Sequence, residues 1–277
     1  MSAFQVGFIG GGNMTLAIAG GLMASGSDSP GIAIAEPIPE QRQRLAQALP
    51  AALITDNNSD VAARSRCLVL ATKPQVLPDV CRDLAGAVQA ARPLVLSIAA
   101  GVRSDDIDTW LGGELAVVRV MPNQPALLGK GVSGMFANER VSDDQFAAAE
   151  GVMAAVGSVV RIAAEADIDA VTAISGSGPA YFFLLIDMLE TTGRELGLDD
   201  QSARTLAIET ASGAAALAAS SDVPMGDLIA RVRSPGGTTA AALDSLDDAG
   251  VRAIFARAFT AARDRAVALA DATHEQS

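Results

Sequence analysis

The 277-residue sequence predicts an α/β protein: a doubly wound parallel sheet over residues 1–162, followed by an all-helical domain over residues 163–277. Three observations predict it. Short apolar runs alternate with helix-length segments through the first half, the pattern of parallel βαβ units. A triple glycine closes the first of these runs. Around residues 159–164 the strand-like runs stop, and long Ala- and Leu-rich stretches take over.

The elements follow in order. Residues 5–9 form an apolar run ending in Gly10-Gly11-Gly12, and helical spacing through Met14, Ile18 and Leu22 follows over 13–25. Further strand-like runs fall at 31–35, 52–55, 67–72, 94–99, 116–120 and 132–136, with a polar helical stretch at 39–49. The second half reads as helices at 179–196, 200–220, 224–232 and 238–270. Pro179 after Ser175-Gly176-Ser177-Gly178, and Pro224 after Ser221-Asp222, suit the first turn of a helix. The stretch 238–270 is too long for a small domain to bury alone, so part of it is expected against a second chain.

Composition excludes several function classes. Half the residues are hydrophobic, which supports a real core. Twenty basic against 32 acidic residues leave a net charge of −12, which repels phosphate backbones and excludes nucleic acid as a partner. The longest apolar runs are broken by Glu209, Asp187 or arginines, short of the roughly 18–20 residues a bilayer span needs. No positive charge precedes the first apolar stretch, so it does not read as a signal peptide. The expected location is the cytoplasm. Cys67 and Cys81 lack metal-like spacing and read as buried structural thiols. The single histidine, His274, lies in a polar tail, a poor place for a zinc site or a Ser-His-Asp triad. Lysine occurs only at positions 73 and 130. The second half therefore lacks the usual neutral-pH general bases, and any chemistry there must borrow reactivity from a cofactor.

The glycine turn suits a dinucleotide. Gly10 permits a tight turn, and Gly12, Asn13 and Met14 lead into the positive end of a helix where a pyrophosphate approaches the backbone. Thr15 stands where that fingerprint usually has Gly or Ala. Glu36 ends the second strand, where an acidic residue commonly takes ribose hydroxyls. Such a carboxylate favours NADH over NADPH, whereas Arg42 and Arg44 nearby would counter it, so the residues leave the choice open. Ala71-Thr72-Lys73-Pro74-Gln75 and Ser97-Ile98-Ala99-Ala100-Gly101 end later strands at the edge where ligands bind in such sheets; plain strand-end packing is the alternative. Ser175-Gly176-Ser177-Gly178-Pro179 and Ser234-Pro235-Gly236-Gly237-Thr238-Thr239 each precede an apolar helix. They read either as helix caps or as a site for a small carboxylate. Met121-Pro122-Asn123-Gln124-Pro125 is a rigid polar connection.

Taken together and in this order, these motifs resemble the pyrroline-5-carboxylate reductase family over nearly the whole chain. The most specific are residues 169–181, Asp-Ala-Val-Thr-Ala-Ile-Ser-Gly-Ser-Gly-Pro-Ala-Tyr, and residues 234–239, Ser-Pro-Gly-Gly-Thr-Thr. The resemblance implies a Rossmann domain, a helical dimerisation domain, and a homodimer or larger ring of dimers. It also implies NAD(P)H-dependent reduction of 1-pyrroline-5-carboxylate to L-proline, with NADPH as the expected cofactor, NADH as the alternative, and no metal. By position, the glycine turn with Gly10, Gly12, Asn13 and Met14, together with Glu36, Asn58, Ala71, Thr72, Lys73, Pro74, Ala100 and Arg231, falls to the cofactor. Glu165, Ser175, Ser177, Gly237 and Asp222 fall to the substrate, and Ser234, Thr238 and Thr239 to catalysis, with Thr239 nearest the ring nitrogen. The sequence departs from the family at Thr15, Glu36, Gln124 and Arg233, and at Arg231, where Asn or Gln is frequent.

The implied reaction suits the residue inventory. Reducing a cyclic imine needs hydride at carbon and a proton at nitrogen, and removes no alcohol proton. A β-hydroxyacid dehydrogenase would need a lysine in the helical domain, and residues 131–277 hold none. A short-chain dehydrogenase would need Tyr-x-x-x-Lys, but Tyr181 is followed four residues later by Leu185. Tyr181 reads as a packing residue. A catalytically dead nucleotide sensor would be expected to lack the hydroxyls that Thr238 and Thr239 retain.

Overall fold

In the computed structural model, which describes residues 4–25 and 31–274, alternation within short strands sends side chains to two different cores. Along β4 (Ser65–Leu70), Cys67 and Val69 enter one core while Leu68 and Leu70 enter the other. A sheet apolar on both faces must be covered on both. Helices α1 (Asn13–Ala24), α2 (Pro39–Ala48) and α6 (Asp143–Ala154) supply Ile18, Leu45 and Val152 to the first core. Helices α3 (Asn58–Arg64), α4 (Leu77–Ala91) and α5 (Ser104–Trp110) supply Val61, Leu84 and Ile107 to the second. The N-terminal residues Met1, Ser2 and Ala3, and the end of the polar tail, lie outside the described residues.

The remaining strands are β1 (Phe4–Ile9), β2 (Ile32–Ala35), β3 (Leu53–Thr55), β5 (Leu94–Ser97), β6 (Val117–Met121), β7 (Gly131–Ala137) and β8 (Gly157–Arg161). Their order in the sheet is β3-β2-β1-β4-β5-β6-β7-β8. The expectation of a doubly wound sheet holds, with two additions. Strand β7 runs antiparallel to β6, and β8 pairs parallel with β7. Residues 122–130 join β6 to β7 without a crossover helix, which only an antiparallel pair permits. Successive connections depart in opposite directions from β1, placing the topological switch point between β1 and β4.

After β8 the described chain is helical: α7 (Asp167–Val171), a π turn at Thr172–Gly176, then α8 (Gly178–Glu195), α9 (Asp200–Ala219), α10 (Met225–Val232), α11 (Thr238–Asp248) and α12 (Val251–His274). Three expectations are corrected here. The stretch 238–270 is two helices, broken at Gly250, whose φ of +71° disfavours any residue with a Cβ. Pro224 precedes α10 as its cap in extended conformation and is not within its first turn. Residues 175–178 are not an open loop before a helix. Ser177 N–H donates to Thr172 O at 2.8 Å, five residues back, and the hydroxyls of Thr172 and Ser175 bond to Ile168 O and Val171 O. These bonds hold the Ser-Gly-Ser-Gly segment in a widened helical turn despite its loop-like composition.

The chain divides into two compact units, residues 1–177 with 262–277, and residues 178–261. Within the first, Arg103 pairs with Asp271, and His274 Nδ1 lies 2.6 Å from Asp106 Oδ1. The histidine read as part of a loose tail therefore sits against a buried carboxylate. In the second unit, Tyr181 stacks on Phe259 with ring centroids 4.9 Å apart, a packing role. Phe182, Phe183 and Met188 remain more than half exposed. One helical stretch among the described residues, Asp167–Glu195, is long and apolar enough to cross a membrane by length and composition, which corrects the expectation that no run qualified. Fully burying a phenylalanine gains roughly 1.5–3 kcal/mol, and these partly exposed ones forgo part of it.

Candidate functional site

Three strand ends that are far apart in sequence meet at the switch point. Ala71 N–H donates to Ile9 O at 2.9 Å, and Ile98 N–H to Leu70 O at 3.1 Å. The turns after β1, β4 and β5 thus line one edge of the sheet. Gly10 adopts φ +100°, and a Cβ on it would stand 2.8 Å from Ala71 O. Both the turn and the close approach of the chain leaving β4 require glycine there. Gly12 caps α1 without a side-chain bond, and a Cβ on it would meet nothing within 4 Å. The first turn of α1, with exposed Asn13 and half-buried Met14, therefore offers uncapped N–H groups to an open space, as a pyrophosphate requires. Thr15 is fully buried and its hydroxyl donates to Gly10 O at 2.7 Å, so this departure from the fingerprint closes the turn.

Asn58, Thr72, Lys73, Pro74 and Ala100 follow the strand ends of the same sheet edge. Asn58 opens α3, capped by the side chain of Asn57. Thr72, Lys73 and Pro74 lead from β4 into a short 3-10 turn. The Thr72 hydroxyl is buried without a hydrogen-bond partner, an orphan that a polar ligand would satisfy. Ala100 is exposed in the turn after β5. These features fit a dinucleotide. Glu36 also takes on a structural role. Its two carboxylate oxygens accept the N–H groups of Gly11 and Ile38, at 2.8 and 2.9 Å, and the residue is buried.

Glu165 lies between β8 and α7. One oxygen accepts Ser104 N–H and the other the Ser104 hydroxyl, both at 2.7 Å. Arg119, buried on β6, reaches Glu165 and Asp169 at 3.3 Å each. The sequence reading did not find this network. A lone buried-strand arginine next to acidic residues on a later helix was its only signal. Asn123 was read only as part of a turn. Its carboxamide accepts Val132 N–H at 2.9 Å and donates to Ser175 O at 3.1 Å. An α-helical bond to that carbonyl would come from residue 179, and proline has no N–H.

The second unit holds the other group. Ser234, Gly237, Thr238 and Thr239 come together at the start of α11. Gly237 N–H donates to Ser234 O at 3.0 Å, and Gly237 caps α11 without a side-chain bond. Both threonines sit in the helix's first turn, where uncapped N–H groups suit a carboxylate. Arg233 pairs with Asp244 of α11, which accounts for its departure from a small residue. Asp222 is exposed ahead of α10, and Arg231 lies in that helix's last turn.

The sheet edge, with its glycine turn and the orphaned Thr72 hydroxyl, has the form of the cofactor edge of a nicotinamide-nucleotide-dependent oxidoreductase. A family model described as "NADP oxidoreductase coenzyme F420-dependent" matches residues 5–101, and one described as "Pyrroline-5-carboxylate reductase dimerisation" matches residues 165–269. A pyrroline-5-carboxylate reductase from Pseudomonas aeruginosa is 43% identical over 271 residues, covering 98% of each chain. The structure of one from Coxiella burnetii superposes with a TM-score of 0.91 at 37% identity, over 97% of this chain and 99% of that one. The Plasmodium falciparum pyrroline carboxylate reductase with NADP bound gives 0.84 at 27% identity, over 98% and 99%. The chain belongs to the pyrroline-5-carboxylate reductase family.

Proposed function

We propose that this protein reduces 1-pyrroline-5-carboxylate to L-proline with NADPH. The single observation that carries the reading is near-full-length identity of 43% to a pyrroline-5-carboxylate reductase. The paired glycine-turn and threonine-bearing elements support it. Bound NADPH supplies the hydride; the protein does the rest. The strand-end turns at Gly10, Ala71 and Ala100, with Asn58, hold and orient the nucleotide. The start of α11 holds the substrate carboxylate through Ser234 and the N–H groups near Gly237 and Thr238. The Thr239 hydroxyl would hydrogen-bond the ring nitrogen or relay its proton. No lysine or histidine base is needed.

We further propose that two copies associate through the exposed face of α8. The match of residues 165–269 to a dimerisation model supports this, as do the exposed phenylalanines. Two buried free thiols and a reduced nucleotide suit the cytoplasm. Nucleotide oxidation with and without pyrroline-5-carboxylate, with proline assayed as product, tests the reading. Folded, NADPH-binding protein that oxidises nothing in the presence of the imine would overturn it.

A further inference from the structure

We propose that Arg42 and Arg44 read the 2′-phosphate of NADPH, and that Glu36 is a strut of the glycine turn. The proposal rests on the nucleotide-dependent function above and adds the residues that set its cofactor preference.

A carboxylate at the end of the second strand ordinarily accepts the ribose hydroxyls and repels a phosphate there. In this chain both oxygens of that carboxylate are taken by backbone N–H groups, one from the glycine turn and one from the segment leading into α2. Glu36 therefore ties β2 to the turn after β1. Its charge is shared with two backbone donors, which weakens its repulsion of a phosphate.

Two guanidinium groups lie beside Glu36. Arg42 Nη1 donates to Glu36 O and Pro37 O at 2.9 and 2.8 Å, so this side chain is fixed across the end of β2. Its other charged neighbour is Asp56, 70% exposed and 3.7 Å away, a weak pairing. Arg44 reaches from α2 to Asn13, the first residue of α1, and donates to its amide oxygen at 3.2 Å. Glu40 is the acidic residue in the first turn of α2. With the pyrophosphate at the glycine turn and a ribose at the end of β2, a 2′-phosphate would fall within reach of these two arginines. A phosphate monoester carries roughly 1.5–2 negative charges and three acceptor oxygens. It outcompetes a neutral amide oxygen for Arg44.

Calorimetric binding of adenosine 2′,5′-bisphosphate and adenosine 5′-monophosphate to the full chain tests this without any turnover. The unaltered protein should prefer the bisphosphate. Arg44→Ala should cut that preference by about tenfold or more, with Arg44→Lys restoring part of it. Arg42→Ala should act in the same direction. Glu36→Gln should weaken both ligands alike and leave their ratio standing. A ratio unmoved by Arg44→Ala, or one moved mainly by Glu36→Gln, would overturn the proposal. Failure of the reductase reading looks different: phosphate discrimination intact, with no imine reduced.

Discussion

Glu165 grips Ser104 at both its backbone N–H and its hydroxyl, each at 2.7 Å, and so caps helix α5 from 61 residues away. Helix α5 leaves the turn that carries Ala100. The same carboxylate balances Arg119, which is buried and has Asp169 as its second partner. Glu165 is thus built into the frame beside the cofactor edge. Breaking a buried pair typically costs 3–5 kcal/mol, and Asp169 softens the loss here. Glu165→Ala should lower the unfolding free energy by about 2–4 kcal/mol, read by chemical denaturation. Unchanged stability would remove this structural role.

Gly10→Val should abolish the nucleotide turn. The added side chain starts 2.8 Å from Ala71 O on a backbone at φ +100°. Affinity for NADPH should fall at least about tenfold by fluorescence titration. Affinity equal to that of the unaltered protein would place the pyrophosphate elsewhere.

Thr239→Val removes one hydroxyl from the first turn of α11 and keeps its shape. Turnover should fall by about a hundredfold, the scale of a positioned hydrogen-bond or proton-transfer group, while NADPH affinity stays within about twofold. Turnover that persists would take Thr239 out of the chemistry.

Asn123→Ala leaves Val132 N–H and Ser175 O without their partners. Two lost bonds to partly buried backbone predict a destabilisation of about 2 kcal/mol. Melting followed by circular dichroism measures it. The loss should exceed that of Gln124→Ala next door.

Burial pushes the thiols of Cys67 and Cys81 up to about 12 from an ordinary 9.0, with Arg82 offsetting part of it at Cys81. The fold thus favours the neutral thiol. Their contribution is fully present below the unfolded value, and stability falls as pH rises from there towards about 12. At neutral pH neither thiol should react with a disulfide reagent until denaturant is added, when both should. Rapid labelling of the native protein would contradict their burial.

Much of the fold is local and was therefore readable. Strand alternation, the glycine turn and the serine–glycine start of α11 each depend on residues within a few positions of one another. The break at Gly250 was missed because apolar periodicity continues across it. The π turn was missed because Ser-Gly-Ser-Gly has the composition of a loop, and only the bonds back to Ile168, Val171 and Thr172 make it helical. The sequence placed the expected second-chain contact on 238–270 and did not single out α8, whose Phe182, Phe183 and Met188 are exposed in the single chain.

The chain's order of motifs determined the α/β class, the nucleotide turn and the family, because these follow from residue types at fixed short spacings. Which partners the charged and amide side chains take was decided by tertiary structure alone. Glu36 meets Gly11 across 25 residues, Asn123 meets Ser175 across 52, and Glu165 meets Ser104 across 61. A carboxylate has no intrinsic preference between a ribose hydroxyl and a backbone N–H. The folded sheet brings the N–H groups to Glu36, and burial makes leaving them unpaired too costly.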